Sequence, residues 1–377
     1  MKTEISSLEL HYLLKELQSL ISAKLEQVYQ IGKDELILQL HVPGVGKRIL
    51  RIILGKLMYL ASHKGEVPEK PPGFCLYLRK KLKNARLREL NQLGFERIVE
   101  FLFETKQAKF KLIIELFSKG NIILSDEQGM ILSVLEKQEW KDRSIKPKEP
   151  YKYPKKEYNF LKITKDQLVS LLNRSKKENL VKTLAIDLGL GGVYAEELCA
   201  LSNVDKNQKP DKVSDKEADS LYAAIQTLLS KEITPLTVYE EDKKTIKDIV
   251  PFKLNFYKEF PTSKADSFNS ALDSVLTKKL EAKAVEAAEK TAKTKIDKLN
   301  EMITQQQLRI TGLEKSEKEN KRKAELIYEN YQIVQQLLVE IADMKKALSW
   351  KEIKQKFKGH KVVKDINEKT GEITLEL

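Results

Sequence analysis

The sequence has few of the residues that hold metal ions, disulfide bonds or catalytic triads. It contains two cysteines, Cys75 and Cys199, which lie far apart in apolar stretches. This excludes a disulfide-stabilised miniprotein and a cysteine-cluster zinc site, so we expect two buried thiols. The four histidines are scattered without metal-ligand spacing and suggest no triad with serine and aspartate. We therefore expect no metal and no cofactor.

Long apolar runs are also missing. No window of about 18 apolar residues occurs, so the sequence predicts no membrane span. The N-terminus reads MKTEISSLEL, with early acids and no apolar run ending in small residues, so it does not resemble a signal peptide. The glycines of Pro43-Gly44-Val45-Gly46 lack the lysine-serine pair of a phosphate loop and predict a hairpin turn. We expect a cytoplasmic protein.

What the sequence has in excess is positive charge. Charged residues make up 33% of the 377 residues, and the formal net charge is +13. This balance is typical of proteins with polyanionic partners, although a membrane surface or an acidic protein would also attract such a chain. The length predicts two to three domains, each large enough for its own core.

The basic residues concentrate in the stretch that follows Gly73. Leu78, Leu82 and Ala85 are spaced for one face of a helix. The segment from 79 to 88 carries six cations and no acid, whereas a solvated helix face normally mixes both signs. The pattern therefore predicts a helix that faces phosphates, with a soluble helix of uneven charge as the alternative. The six cations are Arg79, Lys80, Lys81, Lys83, Arg86 and Arg88.

Alternating and apolar runs around this stretch predict a strand-rich first domain. Ser6 and Glu9 have the spacing of a capping box and open a helix with a leucine stripe. Prolines and tyrosines from 147 to 154 predict an extended connector, which either binds RNA or covers the domain as a strap. The predicted strands are Lys24–Ile31, Glu35–Val42, Arg48–Leu54, Arg97–Glu104, Phe110–Phe117, Asn121–Ser125 and Ile131–Leu135.

A glycine-broken helical pattern follows. Helical spacing runs from Leu171 to Ile186, is interrupted by glycines, and resumes from Tyr194 to Leu201. This is typical of a helix-hairpin-helix, whose backbone N–H groups can hold a phosphate, although such hairpins also serve as plain packing modules. Lys206–Asp219 reads as a polar loop, and Leu236–Glu240 and Phe252–Phe256 as short strands. The hairpin glycines are Gly189, Gly191 and Gly192.

From Ser267 onward proline is absent and heptads appear. The stretch Glu314–Lys323 is wholly polar, so the predicted helix is either exposed there or bends. After Trp350 a short helix and two strands, Lys361–Ile366 and Glu372–Leu377, are expected. The predicted apolar seam comprises Ile296, Leu299, Ile303, Ile310, Leu313, Ala324, Ile327, Tyr331, Val334, Leu338, Ile341 and Leu348.

Several segments together resemble the NFACT family of ribosome-associated quality-control factors, the RqcH and NEMF type. The segments are SLEL, PPGFCLYLRKKLKNARL, LGFERIVEF, KLIIELFSKGNIILSD and RSIKPKEPYKYP, within roughly 1–153. The resemblance implies an α+β fold with a MutM-like, β-rich N-terminal domain at 1–160, a helix-hairpin-helix domain at 164–261, a coiled-coil helix at 267–349 and the start of a middle domain at 350–377.

The same resemblance implies a function and site residues. Family members bind a large ribosomal subunit that still carries peptidyl-tRNA, and recruit tRNA so that a C-terminal tail is added to the stalled chain. The family's functional carboxylate falls on Glu9 and its acid-arginine pair on Glu96 and Arg97, all three expected to bind tRNA. In many relatives both acids are aspartate, so here the reach of each is longer by one methylene. A ubiquitin ligase or another factor is a further expected partner at the coiled-coil tip.

The family also continues with a returning helix and a C-terminal RNA-binding domain, which these 377 residues do not include. A weak homodimer through the seam is therefore expected. We expect no enzymatic activity. Two alternatives are a DNA glycosylase-like protein without catalytic residues, since the chain begins Met1-Lys2-Thr3 where such enzymes need an N-terminal proline, and a surface adhesin. Without the resemblance, Glu96 and Arg97 read as a structural ion pair at a strand entrance.

Overall fold

The computed structural model describes residues 2–140, 143–154 and 156–377, except for the side chains of 279–284 and 286–288. The chain forms two compact units, Met1–Ala284 and Val285–Leu377. Both helices and antiparallel sheets are present, so the predicted α+β class is confirmed.

The first unit is built on a nine-stranded antiparallel sheet in the order β4-β3-β2-β1-β5-β6-β7-β8-β9. Its two halves meet where β1 and β5 pair at a single position, Lys24 opposite Arg86. The main apolar core takes side chains from both halves and from three helices, α1 (Ser7–Leu17), α2 (Gly73–Leu82) and the first turns of α7 (Phe268–Glu329). The strands are β1 Lys24–Ile31, β2 Glu35–Val42, β3 Gly46–Ile53, β4 Leu57–Ala61, β5 Arg86–Gln92, β6 Ile98–Glu104, β7 Lys109–Glu115, β8 Asn121–Asp126 and β9 Ile131–Val134.

The predicted basic helix is shorter than its pattern suggested. The helix α2 ends at Leu82, Asn84 takes a left-handed backbone with φ of 59°, and the chain then enters β5. Asparagine tolerates this conformation better than most residues, which permits the sharp turn. Leu82 and Ala85 are both buried although the helix has ended between them. The prediction that Arg86 and Arg88 lie on the helix is therefore wrong, because both lie on the strand β5.

Both edges of the sheet are covered. Backbone hydrogen bonds join β9 to the connector, for example from the Ile131 amide to the Glu149 carbonyl at 2.8 Å. Tyr151 and Ile145 are buried against this face, so the connector acts as a strap there. At the opposite edge the Asn269 side chain bonds both the amide and the carbonyl of Leu60, at 2.6 and 3.0 Å. These contacts satisfy backbone groups that an open edge would expose.

The rest of the first unit consists of four helices and a small sheet. We use the word hairpin for residues 180–202, which contain the glycine-rich loop. Four helices, α3 to α6, surround a second core to which the Leu8 and Tyr12 side chains of α1 also contribute. The stretch predicted as a polar loop contains the start of α6, whose capping box joins Ser214 and Glu217. The helices are α3 Lys165–Arg174, α4 Leu180–Lys182, a π-helical turn at Thr183–Asp187, α5 Gly192–Ser202 and α6 Asp215–Ser230.

The small sheet has the order β13-β12-β14. The strands are β12 Leu236–Tyr239, β13 Ile246–Val250 and β14 Thr262–Lys264, and a two-stranded ribbon, β10 Gln138–Glu139 with β11 Ser144–Ile145, precedes them in the chain. The predicted strand Phe252–Phe256 is wrong. Phe252 and Leu254 are buried, but the chain turns into a 3₁₀ helix at Asn255–Tyr257 directly afterwards. Buried and exposed residues alternate from Phe252 to Asn255 as they would in a strand, but this stretch pairs with no neighbouring strand among the described residues.

The long helix α7, Phe268–Glu329, is continuous through the polar stretch, so it does not end or break there. It stops before Asn330, and α8 runs from Tyr331 to Lys345. In the second unit, α8 packs on α9 (Trp350–Lys356) and on the hairpin of β15 (Val363–Ile366) and β16 (Ile373–Leu375). Part of the predicted seam is therefore buried within the second unit, including Val334 and Ile341.

Candidate functional site

A cavity of about 580 Å³ opens where the first residues of the chain meet the helical hairpin. Its wall combines cations, acids and the glycine-rich loop that precedes α5. The site therefore brings together Glu9, Arg97 and the hairpin glycines, which the sequence placed up to 183 positions apart. The residues used below are Lys2, Glu4, Glu9, Arg97, Gly189, Gly191, Gly192, Tyr194, Lys247 and Asp248.

Glu9 lies at the floor of this cavity and is 3% exposed. One carboxylate oxygen accepts the Ser6 backbone N–H at 2.8 Å, which completes the predicted capping box. The other oxygen accepts from the Lys2 ammonium at 2.7 Å and from the Tyr194 hydroxyl at 3.0 Å. Glu9 is thus a buried group with several donors, held mainly by protein rather than presented to solvent.

Lys2 links Glu9 to the small sheet. Its ammonium donates to Asp248 at 2.8 Å, and the Tyr257 hydroxyl donates to the other oxygen of Asp248, also at 2.8 Å. Burial alone would lower the pKa of Lys2, but the Glu9 and Asp248 carboxylates outweigh it and raise that pKa above its ordinary value. Burial and the Glu9 charge raise the pKa of Tyr194 as well. The ammonium and the phenol therefore both keep their protons at neutral pH.

Glu96 and Arg97 do not pair with each other, because they point into different places. Arg97 reaches the first cavity, where it binds Glu4 at 2.8 Å and approaches the Ile5 carbonyl at 3.4 Å. Glu96 instead pairs with Lys156 at 2.8 Å, on a separate cavity. The alternative reading of these two residues as an ion pair with each other is therefore wrong. Both directly precede β6, and successive side chains entering a strand face opposite sides.

The hairpin loop supplies the opposite wall. Gly191 is the N-cap of α5 with φ of 77°, a conformation that favours glycine. The first N–H groups of an α-helix have no partner within the helix and carry its positive partial charge. The start of α5, with Gly192 and Tyr194, lines the cavity together with Arg97 and Lys247. The cavity can therefore attract an anion despite its acidic floor.

The basic helix does not share this cavity. Lys80 and Lys83 are exposed and line a different groove of about 350 Å³ beside β1. Arg79 donates to the Val28 carbonyl at 2.7 Å and lies over the Tyr29 ring. Lys81 lies about 6 Å from the Phe110 ring centre. Only part of the predicted cationic face is therefore free of packing roles.

Arg86 and Arg88 are exposed on β5. Arg88 pairs with Glu104 at 2.5 Å, and Arg86 approaches the Ser22 carbonyl at 3.3 Å. Their charges face solvent on the sheet rather than on the helix.

Several residues of the site were missed by sequence reasoning. Lys2 precedes the first predicted element, and Lys247 and Asp248 lie in a strand that the sequence pattern does not predict. The signal that could have found Lys2 is its proximity to Glu9 in sequence. No short sequence pattern links Lys2 or Glu9 to Asp248, which lies more than 200 positions later in the chain.

Within the described ranges, no cluster of histidine, cysteine, aspartate and glutamate could hold a metal ion. None of the helices among those residues combines the length and the hydropathy that a membrane span requires.

Comparison with known proteins gives consistent matches. The family model of the NFACT N-terminal and middle domains matches residues 6–373. The archaeal homologue aRqcH of Methanocaldococcus jannaschii is 32% identical over the full chain, which spans 58% of that protein. The human ribosome quality control complex subunit NEMF is 27% identical over 94% of the chain, which covers 35% of it. The chain thus spans between about a third and three fifths of these relatives.

Among solved structures, a fibrinogen binding protein from Staphylococcus aureus aligns with a TM-score of 0.59 and 19% identity. The alignment covers 71% of this chain and 97% of that one. At this identity the likeness shows the fold alone.

Proposed function

Because the chain belongs to the family of NFACT N-terminal and middle domains, we propose that it acts in ribosome quality control. In this proposal it binds a large ribosomal subunit obstructed by peptidyl-tRNA and recruits tRNA for C-terminal tailing of the stalled chain. The names of its relatives support the quality-control role. The chain spans only part of those relatives, so the RNA contacts are inferred from its own surface.

The observation that carries the proposal is the cavity between the N-terminal segment and the hairpin. Arg97, Lys247 and the start of α5 line one opening. A helix N-terminus with an arginine nearby suits a phosphate, since the backbone N–H groups and a guanidinium can bind its oxygens together. We propose that this cavity receives the tRNA backbone.

Glu9 has a different role in this proposal. Its carboxylate is engaged by Lys2, Tyr194 and the Ser6 backbone, so it orders the cavity floor. Through Tyr194 the same network ties α1 to the hairpin, and through Lys2 and Asp248 it ties α1 to the small sheet. Glu9 thus acts on tRNA by positioning the residues that contact it.

The basic helix supplies a second contact. Lys80 and Lys83 are exposed beside β1, where they can neutralise phosphates of ribosomal RNA. A ubiquitin ligase or another factor at the coiled-coil tip completes the partners that we propose.

The buried ammonium favours binding over glycosylase chemistry. An amine attacks a sugar carbon only when unprotonated, whereas the raised pKa of Lys2 keeps it charged. The likeness to the fibrinogen binding protein shows the fold alone and lends the adhesin alternative no weight.

Co-sedimentation with purified large ribosomal subunits tests the proposal. We expect the chain to pellet with subunits that bear peptidyl-tRNA more than with empty subunits, and to lose binding as salt rises. An RNA duplex of random sequence serves as the control. Equal affinity for that duplex and for both kinds of subunit would contradict the proposal and indicate a generic RNA binder.

A further inference from the structure

A second cavity, of about 340 Å³, has Glu96 but not Arg97 in its lining. Its lining includes three aromatic residues, whereas the lining of the first cavity includes one. We name it the aromatic pocket, after Phe95, Glu96, Tyr153, Lys156, Tyr158 and Asn159.

The two tyrosines of the aromatic pocket are anchored through their hydroxyl groups. The Tyr153 hydroxyl donates to Glu100 at 2.8 Å, and the Tyr158 hydroxyl is 3.4 Å from the Ser170 hydroxyl. The buried ring of Tyr151 packs edge-on to Tyr153, with ring centres 4.8 Å apart. Tyr153 nevertheless keeps 43% of its surface exposed. An anchored ring with an open side loses little conformational entropy when it stacks on a ligand.

The polar groups of the pocket provide both an acceptor and donors. Glu96 presents a carboxylate, and Lys156 holds it at 2.8 Å. The Asn159 side-chain oxygen accepts the Leu161 N–H at 3.0 Å, which orients its amide nitrogen away from that bond. A nucleobase edge carries donors and acceptors side by side, so it can match this combination.

The Lys156 ammonium lies close to the hairpin loop. A Cβ atom added to Gly189 would lie 2.2 Å from the Lys156 ammonium nitrogen, and Gly189 has φ of 81°. The positive φ favours glycine at this position, and its lack of a side chain leaves room for the Lys156 ammonium. The hairpin loop therefore borders both cavities, with Gly189 against Lys156 on one side and the start of α5 on the other.

We propose that the aromatic pocket binds one unstacked nucleobase of single-stranded RNA. The inference rests on the proposed function and deepens it, because it assigns different tasks to two neighbouring residues. Arg97 faces the cavity suited to phosphate, while Glu96 faces the pocket suited to a base. Proteins read single-stranded RNA by splaying bases onto aromatic rings and bonding their edges.

Fluorescence anisotropy with a labelled single-stranded RNA and a duplex of equal length tests the proposal on the full chain. Stacking of one base contributes enough that Tyr153→Leu should weaken single-strand binding roughly 5- to 150-fold. Duplex affinity and the salt dependence of both complexes should stay unchanged. Tyr153→Phe is the matched control, because it loses only the Glu100 hydrogen bond and keeps the ring, so it should lose much less single-strand affinity than Tyr153→Leu.

Tyr158→Leu provides a second test should Tyr153→Leu fail to fold. A loss for single strands in either folded leucine variant, with a much smaller loss in the phenylalanine control, supports the pocket. Equal losses on both RNAs, an equal loss in Tyr153→Phe, or no loss in either leucine variant would overturn it. A parent chain that binds neither RNA nor large subunits would instead overturn the proposed function itself.

Discussion

At the scale of single residues, Glu9 shows how one carboxylate serves two structural purposes. Its capping box fixes the start of α1, and its second oxygen gathers donors from the N-terminal segment and the hairpin. A capping box needs only one of the two oxygens for the N-cap N–H, so the other is free for tertiary contacts. From its buried position on α1, the Glu9 side chain reaches both the Ser6 backbone N–H and the Lys2 ammonium. The capping role was predictable, but the tertiary role was not.

Replacing Tyr194 with phenylalanine tests this network. The change removes one donor to a buried carboxylate, so we expect a loss of about 1.5 to 3 kcal/mol in the free energy of unfolding at pH 7. Urea titration of both proteins measures it. Phenylalanine at Tyr222, a half-buried tyrosine elsewhere in the unit, is the control and should cost less.

The same variant should change the response to alkali. The pKa values of Lys2 and Tyr194 are both raised in the folded state, so their stabilisation is present below the unfolded values, near 10, and is lost as pH rises through the folded ones. The parent should lose stability above about pH 10, and Tyr194→Phe should lose it less steeply. Identical alkaline profiles would show that Tyr194 does not contribute to this loss.

Arg97 lends itself to a test that separates binding from stability. Its partner Glu4 has a side chain that is 57% exposed, and an ion pair of this kind contributes at most about 1 kcal/mol. We expect Arg97→Ala to weaken tRNA recruitment about tenfold, while subunit binding and the melting temperature stay nearly unchanged. Filter binding of labelled tRNA measures the first effect. Normal tRNA binding with a lower melting temperature would assign Arg97 to structure.

Glu4→Gln is the matched control for Arg97→Ala. It removes the same ion pair and leaves the guanidinium in place. If the ion pair alone mattered, both variants would behave alike. We expect only Arg97→Ala to lose tRNA.

At the scale of helices and strands, the pattern of apolar and polar residues predicted the position of a strand better than the end of a helix. The strands β1 and β2 were placed to the residue, because apolar and polar side chains vary along them as burial requires. The helix α2 was extended too far because Leu78, Leu82 and Ala85 are buried in helical spacing, yet the last of them is reached through a turn. Spacing alone does not distinguish these two routes.

The candidate site was only half predictable for a related reason. The glycines at 189 to 192 and the pair at 96 and 97 stand out locally. Asp248 matters because it meets Lys2, 246 positions earlier, and no pattern within a window reports such a contact. The aromatic pocket likewise depends on the path of the connector after Tyr151.

The exposed part of the basic helix should control the salt dependence of RNA binding. Each phosphate neutralised adds roughly 0.7 to 0.9 to the slope of log affinity against log salt. We expect Lys80→Ala with Lys83→Ala to flatten that slope by about 1 to 2, whereas Lys81 packs near aromatic rings and is better left in place. Binding of large subunits over a range of potassium chloride measures it.

A double variant of Lys33 and Lys56 is the control, since both lysines are exposed in turns of the sheet. It removes the same charge from another place. An unchanged slope in the Lys80 and Lys83 variant, or an equal change in the control, would mean that the helix faces something other than phosphate.

At the scale of the whole molecule, the predicted seam is exposed before Asn330 and partly buried beyond it. Beyond Asn330, Ile341 is buried in the core of the second unit and Val334 is also buried, whereas Tyr331 and Leu338 are 56% and 57% exposed. Before it, Leu299 is 57% exposed and Leu313 is 63% exposed. The first part is therefore the apolar surface that another helix could cover.

We expect this exposed part to cause weak self-association. Each buried leucine or isoleucine contributes about 1.5 to 3 kcal/mol, and lost translational and rotational freedom opposes association by about 4 to 15 kcal/mol. Five seam positions from Ile296 to Leu313 contribute a free energy of the same order as that cost, so a seam of this length can form a dimer without making it tight. The polar stretch Glu314–Lys323 limits the contact further. Sedimentation equilibrium at tens of micromolar should show a monomer–dimer mixture.

Lysine at Ile303 and Leu313 should shift that mixture to monomer, because it places charges in the middle of the seam. Gln305→Lys adds a charge outside the seam of the same helix and should leave the mixture unchanged. A parent that is monomeric throughout this range would show that the seam does not pair between copies. Its exposed side chains would then be available to a helix of another protein. The lysine variants should abolish the binding of that protein as well.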